Sequence, residues 1–542
     1  MRRILLVAVL ACGCDNNNAG TDPDAPPMCT TDCEDAGVEP DAPPMAPIGA
    51  YVSAMTGDDA NMGTEDSPVK TIAKGIANAK MLGGERSVIV AEGAYTEKVT
   101  LSEGIDLLGG HQCNAQACDW ARDIATFKST IINTDFEGVF AGAGITRATL
   151  ISGFTITGMA GAPTSTAGTV ALTMNGGSPT VRGNTIVGAN TNGNSGPEGN
   201  NRSIGIAVRG TTDPAGALIE NNDITSGTAI QSVGVAIESS SPSVTSLVDV
   251  SSNVIRSGTA RRSIGVFALR AAAGSRIANN DVTAGSTQQG ANTGIQINSP
   301  VAVDRNRVNL DRAATGACSQ TSSWCAGIFV EGATTQITNN IVIGPRGQRT
   351  TALLLAEFEV PAGTVTVANN YFDGGGSGPN GATSPRNASS AIVLAISGNT
   401  TSGLTGTVGR ISNNILSGGT NSDRYGIRED GPTNREIHPV FVNTNLFTFS
   451  SAFGRDDTIY REWSGSGFPI DYDAVFLFEG ANHGIPAVKN DEGDPQLDAS
   501  WHIGESSPCI DNGGTTDAPA KDFEGDVRPA GKTVDIGHDE RP

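Results

Sequence analysis

The chain has 542 residues, too many for one ordinary compact domain, so its length calls for several domains or a repeat array. With 69 glycines, 5% aromatic and 17% charged residues, the composition suits short strands and tight turns and excludes a helical bundle. A formal net charge of −22 repels phosphate backbones and anionic lipid surfaces, so no nucleic-acid partner is expected and membrane association has to come through a lipid anchor only.

The first residues, MRRILLVAVLACGC, set Arg2 and Arg3 before a short apolar run that ends at Val9-Leu10-Ala11-Cys12, the pattern of a secretory signal. It resembles a bacterial lipobox, which implies that residues 1–12 are a lipoprotein signal with lipidation at Cys12. Leu10 stands where such boxes carry a smaller residue, and a plain secretory signal or a buried strand are the alternatives. Gly13 rather than Asp follows the Cys, so the same resemblance implies an extracytoplasmic place at the outer membrane or cell surface. Residues 13–47 are rich in Asp, Pro, Ala and Asn, with PDAPPM at 23–28 and again at 40–45, and form an extended tether that cannot build a core. In an oxidising compartment, Cys29 with Cys33, Cys113 with Cys118 and Cys318 with Cys325 fit local disulfides, leaving Cys14 and Cys509 open. A zinc site needs four converging ligands and the pairs lie far apart in sequence, so they predict no metal centre.

Residues 48–148 carry a strand, an Asp/Asn/Gly loop, a helix and further strands. Ser67-Pro68 predicts the helix start, with Ile72, Ile76 and Ala79 on one face. This stretch resembles the N-terminal segment of bacterial right-handed parallel β-helix proteins of the pectin lyase-like kind, and the resemblance implies that the helix covers the open end of a coil. Asp58, Asp59 and Asn61 could ligate calcium or form a plain turn.

Between 149 and 448 two phrases alternate. One runs VRGNTIVG, IENNDITSG, VSSNVIRSG, IANNDVTAG and onward; the other runs SIGIAVRG, SVGVAIES, SIGVFALR, NTGIQINS, CAGIFVEG and onward. The spacing from Asn222 to Gly234 recurs from Asn253 to Gly265 and from Asn414 to Gly426, while the other connections vary. One fixed side with variable loops predicts an all-β, right-handed parallel β-helix solenoid, with rungs stacked at roughly 4.8 Å. Asn222, Asn253, Asn280, Asn306, Asn340, Asn370 and Asn414 would stand at the bends and pass side-chain hydrogen bonds from rung to rung as a structural ladder.

Residues 449–542 hold DPQLDASWHIGESSPCIDNG, DFEGDVRP and VDIGHDE. These resemble the closing segment of surface proteins with a choice-of-anchor Q type C-terminal domain, which implies a terminal cap over the last rung's unpaired backbone. Asp522, Glu524 and Asp526 could bind calcium; the other expectation pairs Asp526 or Asp535 with Arg528 inside the cap.

Some relatives of this fold cut polysaccharides. The carboxylate motifs of its hydrolases find only Asn133-Thr134-Asp135, Asp456-Asp457 and Asn482-His483-Gly484 here, and most of the coil separates the first two. No Lys occurs between Lys128 and Lys489 and no His between His111 and His438, which leaves carboxylates, Arg, Tyr371 or Tyr425 for general-base work. An Arg-base, calcium-assisted lyase would need Asp or Glu on adjacent rungs.

Strand alternation after the Gly of the second phrase predicts two outward columns. One runs Ala207, Ala236, Phe267, Gln296, Phe329, Leu354, Val393, Arg428; the other runs Arg209, Glu238, Leu269, Asn298, Glu331, Ala356, Ala395, Asp430. Glu238 and Glu331 fall three rungs apart. At roughly 14 Å that exceeds the ~5–9.5 Å of paired glycosidase carboxylates. These columns bring no Arg and acid together on neighbouring rungs. They do assemble Phe267, Gln296, Asn298, Phe329 and Glu331, with Trp324 beside Cys325, into a patch suited to stacking on sugar rings, unless loops such as 311–324 bury it. The expectation is a monomeric, non-catalytic surface protein that binds a polysaccharide or a surface protein, or acts as a spacer, without a cofactor. A polysaccharide lyase that could use calcium is the alternative.

Overall fold

The computed structural model describes residues 49–541 apart from internal segments, among them 192–200, 286–291, 311–323, 357–364, 377–386 and 396–405. Cys12, Cys14, Cys29, Cys33, Cys318, the tether and Asn482-His483-Gly484 lie outside the described residues.

Among the described residues the strands build three parallel sheets of fourteen, thirteen and twelve strands, the last ending in an antiparallel pair. A rung visits them in order, as in Ala217–Glu220, Asp223–Thr225 and Ala229–Ile237. Each strand pairs in parallel with its equivalent one rung on, Val248–Ser251, Val254–Arg256 and Ala260–Ala268. This is an all-β, right-handed parallel β-helix. Its core is built of β-branched and aliphatic side chains from all three sheets on every rung, among them Ile219, Ile224 and Val235, then Val250, Ile255 and Val266, all without solvent exposure. Like stacks on like because the rungs are in register, and the backbone groups of each strand pair with the equivalent strand of the next rung.

The turn between the first and second sheets divides its work between two residues. The residue before each ladder Asn takes the left-handed conformation, with φ 54 at Asn221, 57 at Ser252 and 56 at Asn279. The buried Asn after it carries the hydrogen bonds: Asn222 Nδ2 donates to Asn253 Oδ1 at 3.0 Å and to Val181 O and Glu220 O at 2.9 Å. The same bonds run from Asn184 through Asn222, Asn253, Asn280, Asn306, Asn340, Asn370 and Asn414 to Asn445 and Asn490.

The helix spans Ile72–Leu82, not from Ser67, because Thr71 is its N-cap and accepts from Lys74 N. Residues ahead of it stay extended: Val69 exchanges backbone hydrogen bonds with Tyr51 and Ser53. Ile72, Ile76 and Ala79 face the core. Asp59 is spent on Lys70 N, Thr71 N and Thr71 Oγ1, and Asp58 on Ala60 N, which is turn chemistry. Cys113 and Cys118 form a disulfide; Cys325 is also disulfide-bonded, while Cys509 is a buried free thiol pushed up to about 12 by burial.

The C-terminal part divides in two. The last coil is closed by residues 469–481 and 485–488, where buried Phe478 stacks on Tyr460 with ring centroids 4.5 Å apart. Residues beyond 496 dock along the side of the coil instead. Asn339, Asn369 and Asn413, three left-handed turn residues, donate to the carbonyls of Lys521, Asp535 and Gly514. Ile341, Tyr371, Ile415 and Leu446 pack on Ile503, Cys509 and Ile536. Those four occupy the register column that holds Asp223, Val254, Asp281 and Arg307 on earlier rungs. The column turns apolar where it is covered. Inside this lateral segment Arg528 pairs with Glu540 at 2.9 Å, both side chains fully buried, rather than with the carboxylates of Asp526 or Asp535. Asp535 is occupied by the backbone N–H groups of Asp511 and Arg541, and Asp522 by those of Gly525 and Asp526.

Candidate functional site: the outer face of the twelve-stranded sheet

The strands of the third sheet carry a Gly at which alternation breaks. A Cβ on Gly205 would lie 2.6 Å from Gly234 O and 2.6 Å from Ile224 Cγ2, so this position points inward, and Ile206 next to it is also in the core. Two consecutive inward residues leave Ile204 and Ala207 together on the outer face, in one cluster. The register runs Ala207, Ala236, Phe267, Gln296, Phe329, Leu354, Val393, Arg428, Arg461 along one outer column.

The residues of the expected patch fall into two groups. Phe267 is half-buried against Val233 and Ile264, with Arg262 5.9 Å from its ring. Arg262 also donates to Gln296 Oε1 at 3.0 Å, and Gln296 is buried. Phe329 and Trp324 instead pack on Ala326, Leu354 and Val393. Asn298 and Glu331 are half-buried. The two Phe rings therefore serve packing between aliphatics as well as facing outward.

The expectation that Arg and acids do not converge is overturned, and the expected columns themselves set Arg209 beside Glu238, at 3.9 Å, and Arg428 beside Asp430, at 3.8 Å. Because of the break at Gly, residues three places before it share the outer face with those two and four places after it. Arg202 reaches Glu238 through two hydrogen bonds of 3.0 and 2.8 Å. Further along, Arg349 pairs with Asp430, and Trp324 Nε1 donates to the same Asp430 oxygen at 2.9 Å. Simple alternation carried backward through the Gly would have placed Arg202, Trp324 and Arg349 inside.

Arg428 is the centre of this cluster. Its guanidinium lies 5.2 Å from the Trp324 ring centroid and 5.0 Å from that of Tyr425, and 3.8 Å from Asp430. Its side chain is 16% exposed, its Nε is buried without a partner, and it makes no hydrogen bond among the described residues. Burial lowers its pKa, and the nearby Arg461 and Arg349 act in the same direction against Asp430. Arg461 itself lies 4.6 Å from the Tyr425 ring and is held by Asp471 through two bonds of 2.6 Å. The face therefore presents one guanidinium, boxed by two aromatic rings, whose hydrogen-bonding capacity is unspent.

For a metal ion, the described residues offer His502, Glu524 and Asp539, whose ligand atoms lie within 4.8 Å of one another. All three belong to the lateral C-terminal segment; Asp539 already accepts from Ile503 N, and His502 lies 3.3 Å from Glu524. On the sheet face the nearest carboxylates, Asp430 and Asp471, are engaged by Arg349 and Arg461.

No protein-family model matches the sequence, and none of the curated proteins does. In structure the chain is similar to XylC, solved with xylose, at a TM-score of 0.43 and 11% identity over 90% of this chain and 98% of that one. It is also similar to pectate lyase Pel9A, at 0.37 and 12% identity over 91% and 96% of the two chains. A PL6-family polysaccharide lyase from Pseudopedobacter saltans gives 0.31 and 10% identity over 86% and 98%.

Proposed function

We propose that this is a non-catalytic surface protein whose third sheet binds an acidic polysaccharide at Arg428. The observation that carries the reading is the Arg428 guanidinium, hydrogen-bonded to nothing among the described residues and held between Trp324 and Tyr425. A planar fork of N–H donors matches a carboxylate or sulfate, and flanking aromatic rings offer surface to a sugar ring. Against a net charge of −22, such a ligand needs a guanidinium whose donors are open, and Arg428 lies 3.8 Å from Asp430 without a hydrogen bond to it. In this proposal Cys12 carries the lipid, the tether holds the coil away from the outer membrane or cell surface, and a protein adhesin or spacer role uses the same face. Calcium is not required.

The test is a panel of uronate-bearing, sulfated and neutral polysaccharides with the purified full-length protein, with and without calcium, recording retention and chain cleavage together. Retention of acidic polymers without cleavage, independent of calcium and lost in Arg428→Gln, is expected. Equal retention of neutral polymers would defeat the proposal.

One observation favours the polysaccharide lyase reading: Arg428 is largely buried on the open sheet face, where burial, against Asp430 and Tyr425, eases loss of its proton as an Arg acting as a base requires. Cleavage by the purified protein, abolished in Arg428→Gln, would put that reading in first place.

A further inference from the structure

Where the lateral C-terminal segment meets the second sheet it leaves a cleft of about 900 Å³. Asp373, Ser417 and Thr448, register partners on successive rungs, lie along its floor. Tyr371 and Trp501 form one wall, their ring centroids 5.0 Å apart and their planes tilted by 53°. Phe449 and Asp457 also line it, and Glu492, Asp494 and Asp498 are exposed lining residues.

Five of these lining residues are carboxylates and none is Lys or Arg. Asp457 is held by Arg424, and Asp373 accepts from Ser417 Oγ at 3.1 Å and Gly375 N at 2.8 Å. The Glu492 carboxylate, by contrast, accepts no hydrogen bond among the described residues, and partial burial, then Asp457 and Asp491, push its pKa up. A site that crowds acids beside aromatic rings favours a cation with flat surfaces to stack. The volume and the rings exceed what a bare metal ion uses. A peptide strand finds no edge here, because the strand of Tyr371 is already paired on both sides, to Ile341 and to Ile415.

We propose that this cleft binds an oligomer of an amino sugar, with protonated amines on Glu492 and Asp494 and sugar rings on Trp501, Tyr371 and Phe449. The site is separate from Arg428 and opposite to it in charge preference, so the two stand or fall independently. The experiment is calorimetric titration of the purified full-length protein with a glucosamine oligomer, its N-acetylated counterpart, spermine and a Lys-rich peptide. Parent, Glu492→Gln/Asp494→Asn and Arg428→Gln proteins are compared, with thermal melts confirming that each is folded. The glucosamine oligomer is expected to bind the parent, to weaken about tenfold or more in the double variant as charge-assisted hydrogen bonds are lost, and to bind Arg428→Gln unchanged. No binding to the parent, or equal binding to the double variant, would overturn the site. Equally tight binding of the N-acetylated oligomer, spermine or the peptide would overturn the amino-sugar assignment.

Discussion

Replacing Arg428 by Met separates a binding residue from a structural one. Met keeps the unbranched stem against Trp324 and Tyr425 and removes only the charged fork. The loss is two cation–π contacts, about 0.5–2 kcal/mol each, and a loose 3.8 Å approach to Asp430, which Arg349 already pairs. Against this, the variant no longer buries a donor that nothing accepts, which costs about 1–3 kcal/mol in the parent. Asp430 keeps Arg349 and Trp324 as partners, so no carboxylate is stranded. The two effects nearly cancel, and urea unfolding should place the variant within about 2 kcal/mol of the parent. Affinity for an acidic polysaccharide should fall about ten- to hundredfold, the equivalent of one lost charge-assisted fork. If Arg428→Met instead destabilises the protein by more than about 3 kcal/mol, as breaking a buried ion pair does, Arg428 is a structural partner of Asp430 and the binding argument fails.

Asn280→Ala removes the acceptor of Asn253 N at 3.0 Å and the donor to Val250 O at 2.8 Å in the middle of the buried ladder. It should cost about 3–5 kcal/mol in a denaturant melt, and a loss under about 1 kcal/mol would show that the ladder is not a stabilising device. Gly265→Ala would set a Cβ 2.3 Å from Val282 Cγ1 and 2.6 Å from Gly294 O, so its thermal midpoint should drop; an unchanged midpoint would mean that the rungs yield easily. His538 and His111 are held down to about 3 and about 4, both chiefly by burial, so each is neutral when folded and takes a proton on unfolding. Their contribution is intact above the unfolded value of about 6.5 and is lost as pH falls toward the folded values, by at most about 1.4 kcal/mol per pH unit each. Asp535, pushed up to about 6 by burial, acts the other way between about 4 and 6. The readout is therefore His538→Gln, which should lose less stability than the parent between pH 7 and pH 5; an equal loss would remove His538 from the account.

Much of the coil was legible because strand order is local. Apolar residues at alternate positions mark Ile224 and Val235 as core, and the recurring Asn marks the turn, since each rung repeats the same short-range constraints. The outer column from Ala207 to Arg428 follows from the same alternation counted forward from the Gly. Counting backward fails, because the bend at Gly turns two successive residues inward, and this hid Trp324 and Arg349 from the face they share with Arg428. The lateral docking of the C-terminal segment left a trace in the change from Asp223, Asp281 and Arg307 to Ile341, Tyr371 and Ile415, but a trace of burial does not say what does the burying.

The sequence by itself determined the parallel coil, its inward residues and its Asn ladder, since these depend on periods of two and on contacts between like positions one rung apart. Only the tertiary structure decided which side chains meet across the outer face and where the last residues dock. Those contacts join residues such as Trp324 and Asp430, or Asn369 and Asp535, and they depend on a local bend, on the reach of long side chains and on the packing of a segment with no repeat of its own.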